Sequence, residues 1–333
     1  MKKLALVVIM TAITTLSAAA MGSASSGTLV ITQNTTLTED HIGNISLDAD
    51  NITLDCAGHT VSGPGVIYLN GGINGYSRTG ITVKRCVVTV FQHNGIYVSG
   101  SGGRYEGNLL YGNQNHGMAL DVGSGNVVIQ NTSRSNGGIG IVLTSMTDSL
   151  VANNTVQDNR WSGIALFGDP SGNTYGNTVV DNTATGNEEG FFLIYAFRNT
   201  LRSNTSNLNR QKGFWLTDSG ENIVESNTAV GNKDLADGIE MDRSHKNVFI
   251  NNVVNRNFVG FKIYMSNENT FTGNICNANG AIGFWVIFSS SYNTFTHNVG
   301  RNNPEDDADE DSSSCIGNVW SNNNFGLTSL TTY

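Results

Sequence analysis

The segment Gly190-Phe-Phe-Leu-Ile-Tyr-Ala-Phe-Arg-Asn199-Thr-Leu-Arg-Ser-Asn204-Thr-Ser-Asn-Leu-Asn209-Arg-Gln-Lys-Gly213-Phe-Trp-Leu216 holds one full period of the chain. A glycine heads an apolar, variable, apolar triplet, and asparagine then recurs every five residues until the next glycine. The same unit starts at Gly95, Gly117, Gly140, Gly163, Gly190, Gly213, Gly238, Gly260 and Gly283, with spacings of 22, 23, 23, 27, 23, 25, 22 and 23. A fixed period in this range marks a solenoid, in which each repeat buries its apolar edge only against its neighbours. Short β-branched and aromatic runs bounded by Asn and Gly predict strands and turns, and no repeat leaves room for a helix. Leucine-rich repeats share the period but need a Leu framework, whereas Ile, Phe, Val and Thr fill these strands. The expected fold is all-β: a right-handed single-stranded parallel β-helix of eleven or twelve coils, about 22–25 residues each, with three short strands per coil. Stacked Asn side chains are expected to bond from coil to coil and to occupy left-handed turn positions.

The stretch Asn51-Ile-Thr-Leu-Asp-Cys-Ala-Gly-His-Thr-Val-Ser-Gly63, followed by Gly80-Ile-Thr-Val83, resembles the first coils of the parallel β-helix repeat family of secreted proteins. That family includes the NosD-like β-helix domain and many carbohydrate-active β-helix enzymes. The resemblance covers nearly all of the chain beyond its first segment. It implies a β-helix but no single activity, because the fold carries lyases, epimerases, hydrolases and phage adhesins. The Asn-Thr-Asp plus Asp-Asp set of polygalacturonases and the Asp-Pro-His-Asp signature of mannuronan epimerases are not found in the sequence.

Of 333 residues, 18 are Lys or Arg and 27 are Asp or Glu, for a formal net charge of -9. No basic cluster offers the phosphate neutralisation that nucleic-acid binding requires, so nucleic acid is not an expected partner. Lys2 and Lys3 precede an apolar run from Leu4 to Leu16 and the small residues Ala18, Ala19, Ala20, Gly22 and Ala24. This pattern reads residues 1–24 as a signal peptide and 25–333 as one β-helix domain, secreted or periplasmic and monomeric, with no membrane span after cleavage. Export permits disulfides. Cys56 and Cys86 end similar strands one turn of chain apart and are expected to pair, while Cys276 and Cys315 are left as a weaker second pair or as free buried thiols.

Strand alternation predicts the outer face. The first and third residues after each glycine are apolar and point inward, so the second and fourth face solvent. The second positions read Tyr97, Ala119, Val142, Ala165, Phe192, Trp215, Glu240, Lys262 and Trp285; the fourth include Phe167, Asp242 and Tyr264. An exposed strip of Phe167, Phe192, Trp215, Tyr264 and Trp285 marks a binding surface, and flat rings suit the CH-rich faces of sugars. Glu240, Asp242 and Lys262 sit within it, with Asp237, Arg243 and His245 at the strand ends and Lys212 and Glu189 on the approach turns. The expected function is binding and acting on a uronate-containing polysaccharide as lyase or epimerase. Lys262 would be base and Tyr264 acid, with Arg243, or Ca2+ held by Glu240 and Asp242, neutralising the sugar carboxylate. A hydrolase would use Glu240 and Asp242 as its acid and base. A glycan-binding module without chemistry and a structural or adhesive rod are the remaining readings. The run Glu305-Asp-Asp-Ala-Asp-Glu-Asp311 reads as a solvated loop, with Ca2+ binding as the weaker alternative because it lacks the spaced EF-hand ligands. The scattered histidines and cysteines lack metal-ligand spacing, so a copper role by analogy with NosD finds little support.

Overall fold

The computed structural model describes residues 24–64, 71–233 and 235–330. Apart from Ala24, the segment read as a signal peptide lies outside them. The described residues contain no α-helix, and every paired strand is parallel to its neighbour. Each coil runs through three strands, as in Ile141–Thr147, Leu150–Ala152 and Thr155–Gln157, before the next glycine-led strand Ile164–Phe167 begins. Like strands stack into three sheets of 14, 16 and 13 strands. The solenoid therefore has about thirteen turns, more than the eleven or twelve expected. The extra turns lie at the ends, where Leu29–Ile31, Ile45–Leu47 and Thr328–Ser329 continue the glycine-led sheet without the glycine signature.

Alternation holds in the interior. Phe191 stacks on Phe214 at 4.7 Å between ring centroids, Phe261 on Phe284 at 5.0 Å, and Phe249, Phe271 and Phe295 form a continuous column at 4.9 and 4.6 Å. These separations match the spacing of hydrogen-bonded strands, so identical positions in successive coils fill the core without gaps. The leading glycine is a packing requirement: a Cβ on Gly140 would lie 2.7 Å from the Gly163 carbonyl oxygen, and one on Gly260 would collide with Cys276 Sγ.

Three ladders of buried amides join the coils. One runs from Asn108 through Asn131, Asn154, Asn182, Asn204, Asn227, Asn252, Asn274 and Asn298 to Asn323, each Nδ2 donating to the next Oδ1 at 2.9–3.1 Å. The ladder asparagines are not themselves left-handed. That conformation falls on the residue before each of them, as at Gln130, Asn153, Asp181, Ser203 and Ser226. The left-handed residue makes the corner, and the buried amide after it fastens the corner to the neighbouring coils.

The acidic run is not a loop. Asp306–Glu310 is a strand paired with Ile282–Ile287, and two of its side chains turn back to end ladders. Asp307 Oδ1 accepts from Asn303 Nδ2 at 2.7 Å, and Glu310 Oε1 accepts from Asn318 Nδ2 at 3.0 Å. Cys56 and Cys86 form the expected disulfide, whereas Cys276 and Cys315 are free and buried.

Asn204 Oδ1 accepts from both the N–H and the Nδ2 of Asn182, while its own Nδ2 donates to Val179 O and Asn227 Oδ1. Asn204→Ala strands several of these buried groups and is expected to lower unfolding free energy by about 3 kcal/mol. Urea denaturation checks this, and a loss under about 1 kcal/mol would contradict the ladder's role.

Candidate functional site

The outward face of the glycine-led sheet is a groove, not the flat exposed strip that alternation alone implies. Register stacks Ala165, Phe192, Trp215, Glu240, Lys262, Trp285 and Asp309 in one column. Its middle members are half-buried, while Ala119, Val142 and Ala165 are buried beneath Ile139, Tyr97, Phe167 and Phe192. At the fourth positions Thr217 and Ile287 are buried too.

The cover comes from a second column, the residues just before each glycine. Gly140, Gly163, Gly190, Gly213 and Gly238 each donate a backbone N–H to the residue that precedes the next coil's glycine: Ser162, Glu189, Lys212, Asp237 and Val259. These residues flank the groove, so side chains separated by the glycine bend meet across it.

Four of them form a compact charged cluster. Lys212 Nζ lies 3.4 Å from Glu240 Oε2, and Lys262 Nζ lies 3.5 Å from Asp237 Oδ2 and 3.8 Å from Glu240 Oε2. Aromatic rings bound it on both sides. Lys212 Nζ sits 3.8 Å above the Trp215 ring, Lys262 Nζ is 5.9 Å from the Trp285 ring centre, and Trp215 stacks on Phe192 at 4.4 Å. Phe167 meets Phe192 edge-on at 5.4 Å. Burial pushes the Asp237 carboxyl up to about 7; Lys262 and Lys212 oppose the rise, and a hydrogen bond with Glu240 adds to it. Two ammonium groups thus face the Glu240 and Asp237 carboxyl groups, and burial favours the protonated form of Asp237. One coil earlier, burial also raises Glu189, whose Oε2 accepts from Ser162 Oγ at 2.8 Å.

Other expected site residues stand apart. Arg243 is committed to Asp218, at 2.8 and 3.0 Å, and to Asp242, at 2.9 Å. Asp242 shares Glu240's strand but faces this guanidinium and Thr217. His245 accepts from Asn267 N–H at Nδ1, 3.0 Å away, which leaves the proton on Nε2. Arg243 and His245 line a separate concavity of about 800 Å³ beyond the strand ends, with Pro170, Tyr195, Phe197 and Met265. Tyr264 packs against Phe288 at 4.9 Å.

Glu240 faces lysines and Asp242 faces arginine, so this pair does not fit a Ca2+ ion. Among the described residues no group of three or more His, Cys, Asp or Glu side chains is disposed to hold a metal, and both free cysteines are buried.

Residues 71–229 match the family model described as right handed beta helix region, and residues 170–331 match the one described as periplasmic copper-binding protein (NosD). No curated protein matches the sequence. Among solved structures, a double mutant of the periplasmic alginate epimerase AlgG is similar at 15% identity and a TM-score of 0.61, with 92% of this chain and 77% of that chain covered. The A-module of the Azotobacter vinelandii mannuronan C-5 epimerase AlgE6 follows at 12%, 0.57, 92% and 91%. The catalytic domain of a GH87 α-1,3-glucanase in complex with tetrasaccharides gives 13%, 0.53, 93% and 63%. At such identities the likeness is one of fold.

Because folding raises the Asp237 pKa from 3.8 to about 7, the folded state takes up a proton there. The resulting stabilisation is full below about pH 4 and is lost as pH rises through about 7. Asp237→Asn cannot titrate. The melting temperature of the variant relative to the wild type is therefore expected to rise between pH 5 and pH 8; a difference that does not change with pH would contradict the buried, protonated carboxyl.

Proposed function

We propose that this chain, which belongs to the right-handed β-helix repeat family, binds an acidic polysaccharide along the glycine-led sheet and moves a proton on one of its uronate units, as a lyase or epimerase. The observation that carries this reading is the Lys212, Asp237, Glu240 and Lys262 cluster between Trp215 and Trp285. With Asp237 protonated the cluster has a surplus positive charge, which favours a sugar carboxylate in a groove bounded by aromatic side chains. The net charge of -9 opposes a polyanion, but screening confines remote charges to about 8–10 Å, and the lysines act at contact.

In this mechanism Lys212 and Lys262 neutralise the uronate carboxylate and the negative charge that develops as the adjacent C–H bond breaks. Glu240 accepts that proton. Asp237 supplies a proton, either to the glycosidic oxygen as its bond to the ring breaks, giving an unsaturated sugar, or to the opposite face of the same carbon, giving the epimer. Of the expected roles, that of base moves from Lys262, which is ion-paired with Asp237 and Glu240, to Glu240; those of Arg243, bound to two aspartates, and Tyr264, packed against Phe288, pass to Lys212 and Asp237. Hydrolysis needs two carboxyls about 5–9.5 Å apart, and the hydrogen-bonded Asp237 and Glu240 are closer than that, which favours the proton-transfer reading.

An extracytoplasmic location is supported by the Cys56–Cys86 disulfide and by the periplasmic description of the matched family.

The test is incubation with alginate, pectate and neutral glucans. Ultraviolet absorbance of an unsaturated product identifies a lyase, altered proton NMR at constant chain length an epimerase, and reducing ends alone a hydrolase. Glu240→Gln is expected to cut turnover by about 10²–10⁴-fold while the protein stays folded by circular dichroism. No product with any polymer, or full activity in the variant, would overturn the assignment.

A further inference from the structure

The groove does not end at the charged cluster. Toward the N-terminal end of the rod it opens into a concavity of about 460 Å³ whose apolar walls are Ile139, Trp161, Phe167 and Phe192, with Arg160, Ser162, Glu188 and Glu189 at its polar side. The cluster beneath it is apolar because three successive coils place Ala119, Val142 and Ala165 where larger side chains stand elsewhere. Trp161 forms one wall and is 56% exposed, an unusual state for an indole with its backbone fixed at both sides. The Trp161 backbone N–H donates to Gly138 O at 3.1 Å in one neighbouring coil, and its backbone carbonyl accepts from Glu188 N–H at 3.0 Å in the other. The ring is thus held over the depression without being packed into it. Beside it lies the largely buried Glu189 carboxyl, one oxygen of which accepts from Ser162 Oγ at 2.8 Å. A mostly apolar hollow of this size with a few converging polar groups has the character of a small-molecule subsite.

We infer that Trp161 and this hollow form a remote sugar subsite of the same groove, which makes the protein selective for chains of four or more sugars. The inference rests on the proposed reading of the charged cluster. Register supplies the spacing: Ala165 pairs with Phe192, Phe192 with Trp215, and Trp215 with Glu240, so the hollow and the cluster are three coils apart, about 14 Å along the rod. An extended pyranose chain advances per sugar by nearly the distance the solenoid advances per coil. A uronate at Glu240 and Lys262 therefore places the third sugar beyond it over the hollow, with Phe192 and Trp215 under the two between. Trp161 stacks on a sugar face, while Ser162 and Glu189 meet its hydroxyls. Trp161 makes no contact with the reacting unit and is a binding residue.

The experiment titrates the intact protein and Trp161→Ala with mannuronate oligomers of two to eight sugars, reading affinity by calorimetry and turnover on the oligomers that react. In the wild type, affinity is expected to rise about tenfold between three and four or five sugars. In Trp161→Ala that step disappears, while binding of two- and three-sugar oligomers is unchanged; Trp161→Phe restores most of the step. Equal length dependence in wild type and Trp161→Ala, with binding intact, overturns the subsite and leaves the charged cluster standing. Failure of every uronate oligomer to bind the wild type overturns both.

Discussion

The structure depends on one buried interaction, the asparagine amide that bonds forward to the next coil and backward to a strand carbonyl. A parallel solenoid has three corners per turn, and at each corner the chain leaves the sheet with backbone groups no strand can satisfy. Water cannot reach them, and a buried group without a partner costs about 1–3 kcal/mol. The amide has two donors and an acceptor that takes two bonds, so a single side chain type completes the corner in coil after coil. Serine replaces it at Ser149, where the hydroxyl accepts from Asn126 N–H. Because every ladder asparagine uses the coil on either side, the rod is held from end to end by contacts between nearest neighbours alone.

This regularity is what makes a site. Identical coils put each sequence position at one height interval above its predecessor, so a residue change in one repeat becomes a change at a chosen level of the rod. Tryptophan at 215, glutamate at 240, lysine at 262 and tryptophan at 285 all occupy the same slot. The slot before the glycine varies the same way, from Ser162 to Glu189, Lys212 and Asp237. Two columns of independently variable side chains, held a fixed distance apart by a stiff scaffold, assemble opposite charges and rings without any loop to order.

The fold was legible because its signal is periodic and each repeat repeats the evidence. The Cys56–Cys86 pair and the adjacency of Glu240 with Lys262 followed from the same register. The shape of the groove did not. Alternation can be counted within a strand, but the glycine bend interrupts it, so nothing in the triplet patterns says that Lys212 and Asp237 return over Glu240. Nor does a small residue at a second position announce that it is covered; Ala165 is buried because Ile139 and Phe192 close over it from other coils. The partnership of Arg243 with Asp218 spans the ladder corner and carries no motif. The acidic run misled for a related reason: charge density suggests solvent, yet Asp307 and Glu310 occupy places where an amide would otherwise stand.

Those two acids have a further meaning. Every ladder amide accepts at Oδ1 from the coil before it and gives one Nδ2 hydrogen to the coil after it, the other going back to a strand carbonyl, so the amides share one direction and each stack leaves one unspent donor at its final rung. Asp307 receives the last Nδ2 of one stack and Glu310 that of another. A neutral acceptor would satisfy the geometry, but an anion also counters the accumulated field, much as an acidic residue does at the start of a helix. The molecule consequently has a head and a tail that differ electrically, and its coils are interchangeable along the middle but not at that terminus.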